Sequence, residues 1–340
     1  MSALISDLPT RSQVRKASKR IIAAKSVRSA SQFDLDVVDK WRRAHLKPLT
    51  AISMWLRNPS QSSTGLPPAQ RLKRRDTVFE KLISGRSKDA STMHDLGGCR
   101  LIFPDTETLK DFRDYLDVKS RARHQLLHSR SKYDYIKDPK YTGYRGVHYV
   151  YGYSPSSQRN ASLKGLKIEV QLRTNVQHAW ATAVEIADLV LGARTKFEDG
   201  TGTFGQFFRV ASEILARCHE GTFSCLPEVS DLELKEMFWE EEEEHNILDR
   251  LDKLREQGDH TKIRQHTVLA FEHDDSLEIF GFTKAVRAVE KEEELLFDPN
   301  CSHVVYVRAS SPAAIRSSYR NYLTNPEDFV KLMREGLRRL

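Results

Sequence analysis

Cysteine is scarce and dispersed in this chain. The four residues of this type, Cys99, Cys218, Cys225 and Cys301, include no Cys-x-x-C pair. Structural zinc sites and disulfide frameworks need closely spaced or regularly paired cysteines, so the pattern argues against both. We expect isolated thiols in the core or on the surface.

The chain also lacks a long apolar run. No hydrophobic stretch approaches the length that spans a bilayer, and the apolar part of the N-terminus, residues 1–5, is too short for a secretory signal. Hydrophobic residues make up 39% of the sequence and charged residues 30%, a balance typical of a globular protein with a polar surface. We therefore expect no membrane association and a cytoplasmic location.

Positive charge is concentrated at the front of the chain. The net charge is +7, but residues 1–90 contain 19 lysines and arginines against 7 aspartates and glutamates, an excess of twelve positive charges. Such a field attracts a polyanionic partner or substrate. A basic surface that serves solubility has the same composition, so charge alone leaves both interpretations open.

Helix and strand patterns alternate through the middle of the chain, which predicts an α/β (α+β) fold. The turn-forming residues 58–68 predict a break before this part. The periodicity predicts one or two helices within residues 33–56. It predicts further helices at 8–30, 71–83, 105–116, 176–191, 205–218, 231–255, 285–296, 312–323 and 326–340, and strands at 98–103, 148–153, 167–174, 266–271, 277–282 and 303–308.

These elements predict four regions. Residues 1–60 form a basic helical region, and residues 61–225 form the central α/β domain. Residues 226–256 form an acidic linker helix, and residues 257–340 form a small C-terminal α+β domain.

The strand predicted at residues 167–174 has two chemically different sides. Alternation places Ile168, Val170 and Leu172 on one side, where they can be buried. The other side carries a row of polar and charged groups. This pattern fits an exposed surface strand and the wall of an active site equally well. The polar side consists of Lys167, Glu169, Gln171 and Arg173.

Two upstream segments are unusually rich in groups that bind phosphate or metal. Arg86 and Lys88 follow Gly85 at a helix end, where they can grip phosphates or complement the helix dipole. Asp95 precedes a Gly-Gly turn into an apolar strand that begins near Arg100, so its carboxylate should project at the mouth of the strand. Turn chemistry alone also explains an aspartate in this position.

Residues 133–148 combine tyrosines and cations in a loop that contains proline and glycine. Aromatic rings interleaved with cations are suited to stack on a nucleobase and hold its phosphates. Because large aromatic and basic groups are costly to leave merely solvated, the composition favours a functional loop. Its main candidates are Lys140, Tyr144 and His148.

These segments together resemble the synthetase domain of RelA/SpoT-type alarmone enzymes. Four motif blocks occur in the family's order over roughly residues 70–195: Arg86-x-Lys88, Asp95-Leu-Gly-Gly-Cys-Arg100, Tyr133 to His148, and Glu169-Val-Gln-Leu-Arg-Thr174. The resemblance implies a nucleotidyltransferase-like mixed sheet flanked by helices. The Gly-Gly-Cys-Arg form and the continuation from His178 to Glu185 are most similar to fused toxic small alarmone synthetases of the CapRel-like group.

The resemblance implies a reaction and a set of roles. ATP would donate its β,γ-pyrophosphate to a ribose 3′-hydroxyl and release AMP, with Mg²⁺ offsetting the charge of the triphosphate. Asp95 and Glu169 would be the catalytic metal ligands, and Glu169 would also assist deprotonation of the hydroxyl. The remaining matched positions are Arg86 and Arg100 around the donor adenine, Lys88 on a donor phosphate, Tyr144 stacked on the acceptor base, and Lys140, His148 and Gln171 at the acceptor or its phosphates.

The acceptor is left open by the helix after the last motif. Many members that use a nucleotide acceptor have Trp-Ala-Glu-Ile-x-His there, whereas this chain has Trp180-Ala-Thr-Ala-Val-Glu185-Ile-Ala and lacks that histidine. Toxic relatives with such a helix modify the 3′-terminal adenosine of tRNA and block translation. GDP or GTP, giving (p)ppGpp, and the tRNA 3′ end are therefore both candidate acceptors.

Other readings concern the flanking parts of the chain. The family's metal-dependent hydrolase domain has no counterpart here, so synthesis without degradation is expected. In the CapRel-like group the C-terminal segment restrains the synthetase and can respond to a phage protein, which implies a regulatory role for residues 257–340.

A catalytically silent nucleotide- or RNA-binding module is the alternative of a different class. A nucleotidyltransferase that releases pyrophosphate would need an Asp-x-Asp/Glu pair, and none is suitably placed.

Overall fold

The structure is a computed structural model of the 340-residue chain. It describes residues 8–64, 68–119, 123–190, 204–253, 262–272, 277–308 and 326–340. The chain divides into two compact units. The first comprises residues 1–101, 111–132 and 148–171, and the second comprises residues 102–110, 133–147 and 172–340.

The first unit begins with helices that pack around an apolar core. Helix α1 (Arg11–Ala24) starts with a capping box, in which the side chain of Thr10 accepts a hydrogen bond from the amide of Gln13 and Gln13 reaches back to the amide of Thr10. It buries Val14, Ala17 and Ile21 and leaves its cations exposed. The other helices of this part are α2 (Gln32–Ala44), α3 (Leu46–Thr64) and α4 (Arg75–Ile83).

A five-stranded mixed sheet positions the candidate site residues. Its order is β1-β2-β5-β4-β3, with β1 antiparallel to β2 and β3 antiparallel to β4. The predicted mixed sheet flanked by helices is thus confirmed. The strands are β1 (Ala69–Leu72), β2 (Gly97–Phe103), β3 (Gln125–Leu126), β4 (Val147–Gly152) and β5 (Lys167–Thr174), and helix α5 (Thr106–Lys119) follows β2.

Strand β5 has the two-sided character that its sequence predicts. Ile168, Val170 and Leu172 are completely buried, whereas Glu169 and Gln171 are partly exposed. A strand that alternates in this way turns one side to the core and presents the other to ligand or solvent.

The second unit is built mainly from helices around an aromatic core. Phe207, Phe208, Phe238 and Phe329 are each at most 2% exposed and pack in one cluster. The last of these residues belongs to the final helix, so the C-terminal end of the chain completes this core. The helices are α6 (Asn175–Val190), α7 (Gly205–Glu220), α8 (Asp231–His245), α9 (Ile247–Lys253) and α11 (Glu327–Arg339).

A small antiparallel sheet with one helix lies within the same unit. Its strands are β6 (His266–Glu272), β7 (Leu277–Phe282) and β8 (Cys301–Arg308), in the order β7-β6-β8, and its helix is α10 (Ala285–Leu295). The sequence predicts this hairpin, the helix and the third strand. The helix predicted at residues 312–323 lies outside the described residues.

Two predicted boundaries near the sheet are wrong. The predicted break at residues 58–68 begins too early, because α3 continues through Pro59 to Thr64. Burial of Leu49, Ile52 and Leu56 on the same helix outweighs the local cost of the proline. The predicted helix at 71–83 starts with strand residues, since β1 pairs with β2 from Ala69 opposite Arg100 to Leu72 opposite Gly97.

The predicted single helix at residues 231–255 is also wrong, because it is two helices. Asn246 separates them with φ 51°, a left-handed conformation that asparagine tolerates. The carboxylate of Glu242 then accepts hydrogen bonds from the amides of Leu248 and Asp249 at the start of α9. The break is therefore stabilised by local capping.

None of the helices in the described ranges is both long enough and apolar enough to cross a bilayer.

Candidate active site

Asp95 is held by two lysines at the start of β2. Its Oδ2 lies 2.6 Å from Nζ of Lys73 and 2.8 Å from Nζ of Lys81. Lys73 directly follows β1, and Lys81 lies in α4, so pairing of β1 with β2 brings all three groups together. Asp95 remains 24% exposed, which leaves its carboxylate accessible to a ligand.

The two lysines keep Asp95 ionised. Burial alone would raise the pKa of Asp95, but the charges and hydrogen bonds of Lys73 and Lys81 hold it well below its usual range. Burial lowers the pKa of Lys73 to about 8, against the opposing influence of Asp95. The result is a carboxylate that carries its negative charge throughout the physiological pH range.

Glu169 is a second ionised carboxylate, on the neighbouring strand β5. His148 Nδ1 lies 2.9 Å from Oε1 of Glu169, and the side-chain Nε2 of Gln171 donates to Oε2 of Glu169 over 2.8 Å. Burial would raise the pKa of Glu169, but the charge of His148 and these hydrogen bonds lower it to about 2. His148 and Gln171, predicted at the acceptor, are thus direct partners of the carboxylate.

The two carboxylates belong to one electrostatic site. Gly98 of β2 is next to Glu169: a Cβ placed on Gly98 would be in ordinary van der Waals contact with the Glu169 side chain, 4.0 Å from its Oε2. The negative charge of Asp95 raises the pKa of Glu169, which reflects their proximity. Arg100 lies two residues after Gly98 and therefore on the same face of β2 as Gly98.

The donor set fits a magnesium ion that also binds substrate. Mg²⁺ in proteins commonly takes one or two carboxylates and completes its shell with water and substrate phosphates. Asp95 and Glu169 supply two ionised carboxylates of this kind. Within the described residues no group of three or more His, Cys, Asp or Glu side chains is arranged to hold a metal ion. Asp95 and Glu169 are the residues that would hold such an ion.

Arg86 and Lys88 lie just beyond the end of α4, after Gly85. Both are exposed in the turn after α4, where Nε of Arg86 donates to Oγ of Ser84 over 2.9 Å. The cations that contact Asp95 are Lys73 and Lys81, which the motif analysis missed. The position of Lys73 at the end of a strand is a signal for such a role, but the sequence pattern predicts a helix from residue 71 and therefore conceals it.

The tyrosine loop, residues 133–146, gathers aromatic rings and cations as predicted. Nζ of Lys140 lies 4.5 Å from the ring centroid of Tyr135 and 5.3 Å from that of Tyr144. Arg173 of β5 lies 5.1 Å from the centroid of Tyr144 and donates from Nη2 to its hydroxyl over 3.0 Å. Lys140 and Tyr144 are therefore neighbours, and Arg173 is an additional member.

Serine and tryptophan side chains fix the turn of this loop. Gly143 has φ +86° and contributes a carbonyl that accepts from Oγ of Ser212 over 2.6 Å. Nε1 of Trp180 donates to the carbonyl of Phe208 over 2.8 Å, next to the glycine. Helices α6 and α7 thus hold the turn that precedes Tyr144.

Comparison with known proteins places the site in a family context. Residues 70–188 match a family model described as the region found in RelA / SpoT proteins. This range contains Lys73, Asp95, Tyr144 and Glu169. No curated protein sequence matches the chain.

Solved structures of alarmone synthetases are among the similar folds. Small alarmone synthetase 1 from Bacillus subtilis, bound to its product pppGpp, is 21% identical, covers 53% of this chain and 92% of its own, and has a TM-score of 0.41. A GTP pyrophosphokinase family protein from Streptococcus pneumoniae is 18% identical, with coverages of 63% and 94% and a TM-score of 0.40. Residues 70–188 of the chain therefore carry the region found in RelA / SpoT proteins.

Proposed function

We propose that this domain transfers the β,γ-pyrophosphate of ATP to a ribose 3′-hydroxyl and releases AMP. One observation carries the proposal: two ionised carboxylates, Asp95 and Glu169, share a site with Lys73 and Lys81 inside the RelA/SpoT-type region. Pyrophosphoryl transfer depends on positioning and on charge neutralisation rather than on a covalent protein intermediate. Carboxylates and lysines in one place are suited to that task.

On the donor side, Lys73 and Lys81 are the proposed phosphate contacts. They already lie within hydrogen-bonding distance of Asp95, so a bound triphosphate would compete for the same cations. Mg²⁺ held by Asp95 and Glu169 would supply charge neutralisation and orient the phosphates. Arg100, on the same face of β2 as Gly98, and Arg86 are the proposed adenine contacts, and Lys88 is a further proposed contact of a donor phosphate.

On the acceptor side, Tyr144 is the proposed stacking residue and Lys140 the proposed phosphate contact. The low pKa of Glu169 makes it a weak base near neutral pH, so metal binding and orientation of the hydroxyl are its main proposed roles. His148 and Gln171 hold this carboxylate in one orientation. Their proposed contribution is to keep Glu169 ionised and correctly directed.

Two acceptors remain candidates. A guanine nucleotide would give (p)ppGpp, the product that a RelA/SpoT-type synthetase is expected to make. The tRNA 3′ end is favoured by the missing histidine in α6 and by the exposed cations of α1, which include Arg11, Arg15 and Lys19. A translation-blocking toxin would result from the second reaction.

Incubation with β,γ-labelled ATP and Mg²⁺ distinguishes the acceptors. GDP, GTP and deacylated tRNA are offered in parallel, and the product that carries label identifies the acceptor. Label on tRNA alone would reject the alarmone proposal, and label on a guanine nucleotide alone would reject the tRNA proposal. Absence of label on all three, with ATP still bound, would favour a silent nucleotide- or RNA-binding module.

Matched variants test the site. Glu169→Gln and Tyr144→Ala should abolish transfer to the acceptor that the labelling identifies. Glu228→Gln and Tyr115→Ala make the same chemical changes at exposed positions outside the candidate site and should retain transfer. Activity of the first pair equal to that of the second would reject the assignment.

The C-terminal part is proposed to regulate the synthetase. By the resemblance, residues 257–340 would hold the enzyme inactive until a trigger such as a phage protein binds. The test compares the rate of pyrophosphate transfer by the 340-residue protein with that by a variant whose C-terminal sheet is disrupted by substitution. Equal rates would argue against such restraint.

A further inference from the structure

A buried ion pair anchors the tyrosine loop to helix α7. Nη1 of Arg145 is hydrogen-bonded to Oε2 of Glu220, and the two side chains are only 4% and 2% exposed. Arg145 follows Tyr144 in the chain, and Glu220 is the last residue of α7. The pair therefore joins the loop to the end of a helix of the second unit.

Glu220 also accepts hydrogen bonds from two other elements. The hydroxyl of Thr174, the last residue of β5, donates to Oε1 of Glu220. The side-chain Nε2 of Gln177 in α6 donates to the same oxygen over 3.1 Å. One carboxylate thus connects a strand end, a helix and the loop, and charge-assisted bonds of this kind are strong and directional.

The guanidinium of Arg145 is incompletely satisfied. In the described part of the chain its Nε and Nη2 are buried without an acceptor. Arg145 also lines a small pocket of about 10 Å³ together with Gly143, Gln177 and Ser212, and this volume is at the lower limit of what one water molecule needs. Buried N–H groups without acceptors are costly, and a buried ion pair is weak evidence for stabilisation. Stability alone does not account for the arrangement.

Three consecutive loop residues are held from three directions. The carbonyl of Gly143 accepts from Ser212, the hydroxyl of Tyr144 accepts from Arg173, and the side chain of Arg145 binds Glu220. With its neighbours on both sides fixed, the backbone of Tyr144 has little freedom to reorient. Two of these contacts use a buried cation: Arg173 donates to an uncharged hydroxyl, whereas Arg145 pairs with the buried carboxylate of Glu220.

We propose that Arg145 and Glu220 are positioning residues that fix Tyr144 for binding the acceptor base. The inference rests on the proposed function, because it assigns Tyr144 to the acceptor. A positioned ring binds a base without first losing conformational entropy, so its loss weakens acceptor binding more than donor binding. Neither Arg145 nor Glu220 is assigned a contact with substrate.

Steady-state kinetics of Glu220→Gln in the full 340-residue chain tests this role. The variant keeps the shape of the side chain and removes its charge. The KM for the acceptor should rise about tenfold, while the KM for ATP stays within about twofold of the parent value. Glu228→Gln, the same change at an exposed position, should leave both constants unchanged. An equal rise in both KM values would indicate general damage and overturn the proposal.

A milder variant covers the case in which Glu220→Gln does not fold. Thr174→Val removes the hydrogen bond to Glu220 and the one that the Thr174 hydroxyl accepts from the backbone N–H of Gln177, and it leaves the ion pair in place. It should raise the KM for the acceptor about threefold, with the KM for ATP unchanged. A folded Thr174→Val protein with wild-type acceptor KM, alongside a Glu220→Gln protein that is unfolded or equally unaffected, overturns the proposal.

Hydrogen exchange provides a readout that does not depend on activity. The amides of Tyr135, Lys140 and Gly143 donate within the tyrosine loop, so they report its order. They should exchange faster in Glu220→Gln and Thr174→Val than in Glu228→Gln. If the wild-type protein modifies no acceptor, the proposed function fails while this measurement still tests the positioning of the loop. Unchanged exchange together with active transfer rejects the inference and leaves the function standing.

Discussion

Lys81 and Lys88 differ in their relation to Asp95, although both lie within the proposed donor region. Nζ of Lys81 is 2.8 Å from the carboxylate, whereas Lys88 is exposed in the turn after α4. We expect Lys81→Ala to raise the KM for ATP about tenfold, because a phosphate contact next to the metal site is lost. Lys88→Ala should change it less than about twofold. The measurement is the initial rate over a range of ATP concentrations.

The same pair of variants also judges the motif-based assignment. A Lys88→Ala enzyme that is impaired as strongly as Lys81→Ala would show that the sequence match identified the donor contact and that proximity to Asp95 does not. Circular dichroism of both variants checks that they remain folded.

His45 makes stability depend on pH. It is 2% exposed, and burial lowers its pKa to about 4, although hydrogen bonding to the backbone of Trp41 opposes the shift. In the unfolded chain the group titrates near 6.5. Since the unfolded state binds the proton first, stability that is present above pH 6.5 is lost as the pH falls towards 4. The loss from this residue is about 3 kcal/mol.

Urea unfolding at pH 7 and pH 4.5 measures this effect. His45→Asn removes the titrating group, so the variant should lose less stability than the wild type between the two pH values. An equal loss in both proteins would show that other groups cause the acid sensitivity.

The turn at Gly143 shows how a helix pair shapes a functional loop. A Cβ at this residue would lie 2.8 Å from Cβ of Ser212, in addition to requiring φ +86°. Gly143→Ala should therefore cost about 3 kcal/mol of stability and strongly reduce transfer to the acceptor. Gly85→Ala is the matched control, because Gly85 has φ +74° but no atom within 4 Å of the added Cβ.

Thermal unfolding compares these two glycine variants. Gly85→Ala should lose about 1 kcal/mol from backbone strain alone. Equal destabilisation of the two proteins would mean that the contact between the loop and α7 contributes nothing beyond the glycine conformation.

The sequence was most informative for elements whose own pattern is complete. Strand β5 and helices α6 and α7 are where the periodicity predicts them, because their buried sides repeat regularly. Strand β1 has only four residues and is defined by pairing with β2, which no local pattern records. The same reason applies to the candidate site. Motifs in the sequence predict Asp95 and Glu169, whereas the pairing of β1 with β2 brings Lys73 and Lys81 to Asp95 and no local pattern records it.

At the scale of the whole molecule, α11 is part of the core that supports the tyrosine loop. Phe329, Val330 and Met333 are at most 2% exposed and pack with the residues of α6 and α7. Met333→Ala should reduce the free energy of unfolding by about 3 kcal/mol because it leaves a cavity. Lys331→Ala, at an exposed position of the same helix, should change it by less than about 0.5 kcal/mol. Urea unfolding monitored by fluorescence tests the difference.

This packing affects how regulation can be studied. A fragment comprising residues 1–230 would lack α8, α9 and α11 and would expose Phe207 and Phe208. A loss of activity in this fragment would therefore report the exposed core and not the loss of a regulatory segment. A gain of activity through release of restraint would be measured as smaller than it is, for the same reason. If the fragment instead unfolds with the same midpoint as the full chain, the contribution assigned to α11 is wrong.

The position of α11 in the chain has a consequence for biosynthesis. His219 near the end of α7 is hydrogen-bonded to the carbonyl of Leu332, 113 residues later. At roughly 5–20 residues per second, the ribosome needs about 6 to 23 s to synthesise that interval. During this time the face of α7 that α11 covers remains open on the nascent chain. The half of the protein that contains the tyrosine loop therefore matures late, and chaperones have a defined window in which to bind it.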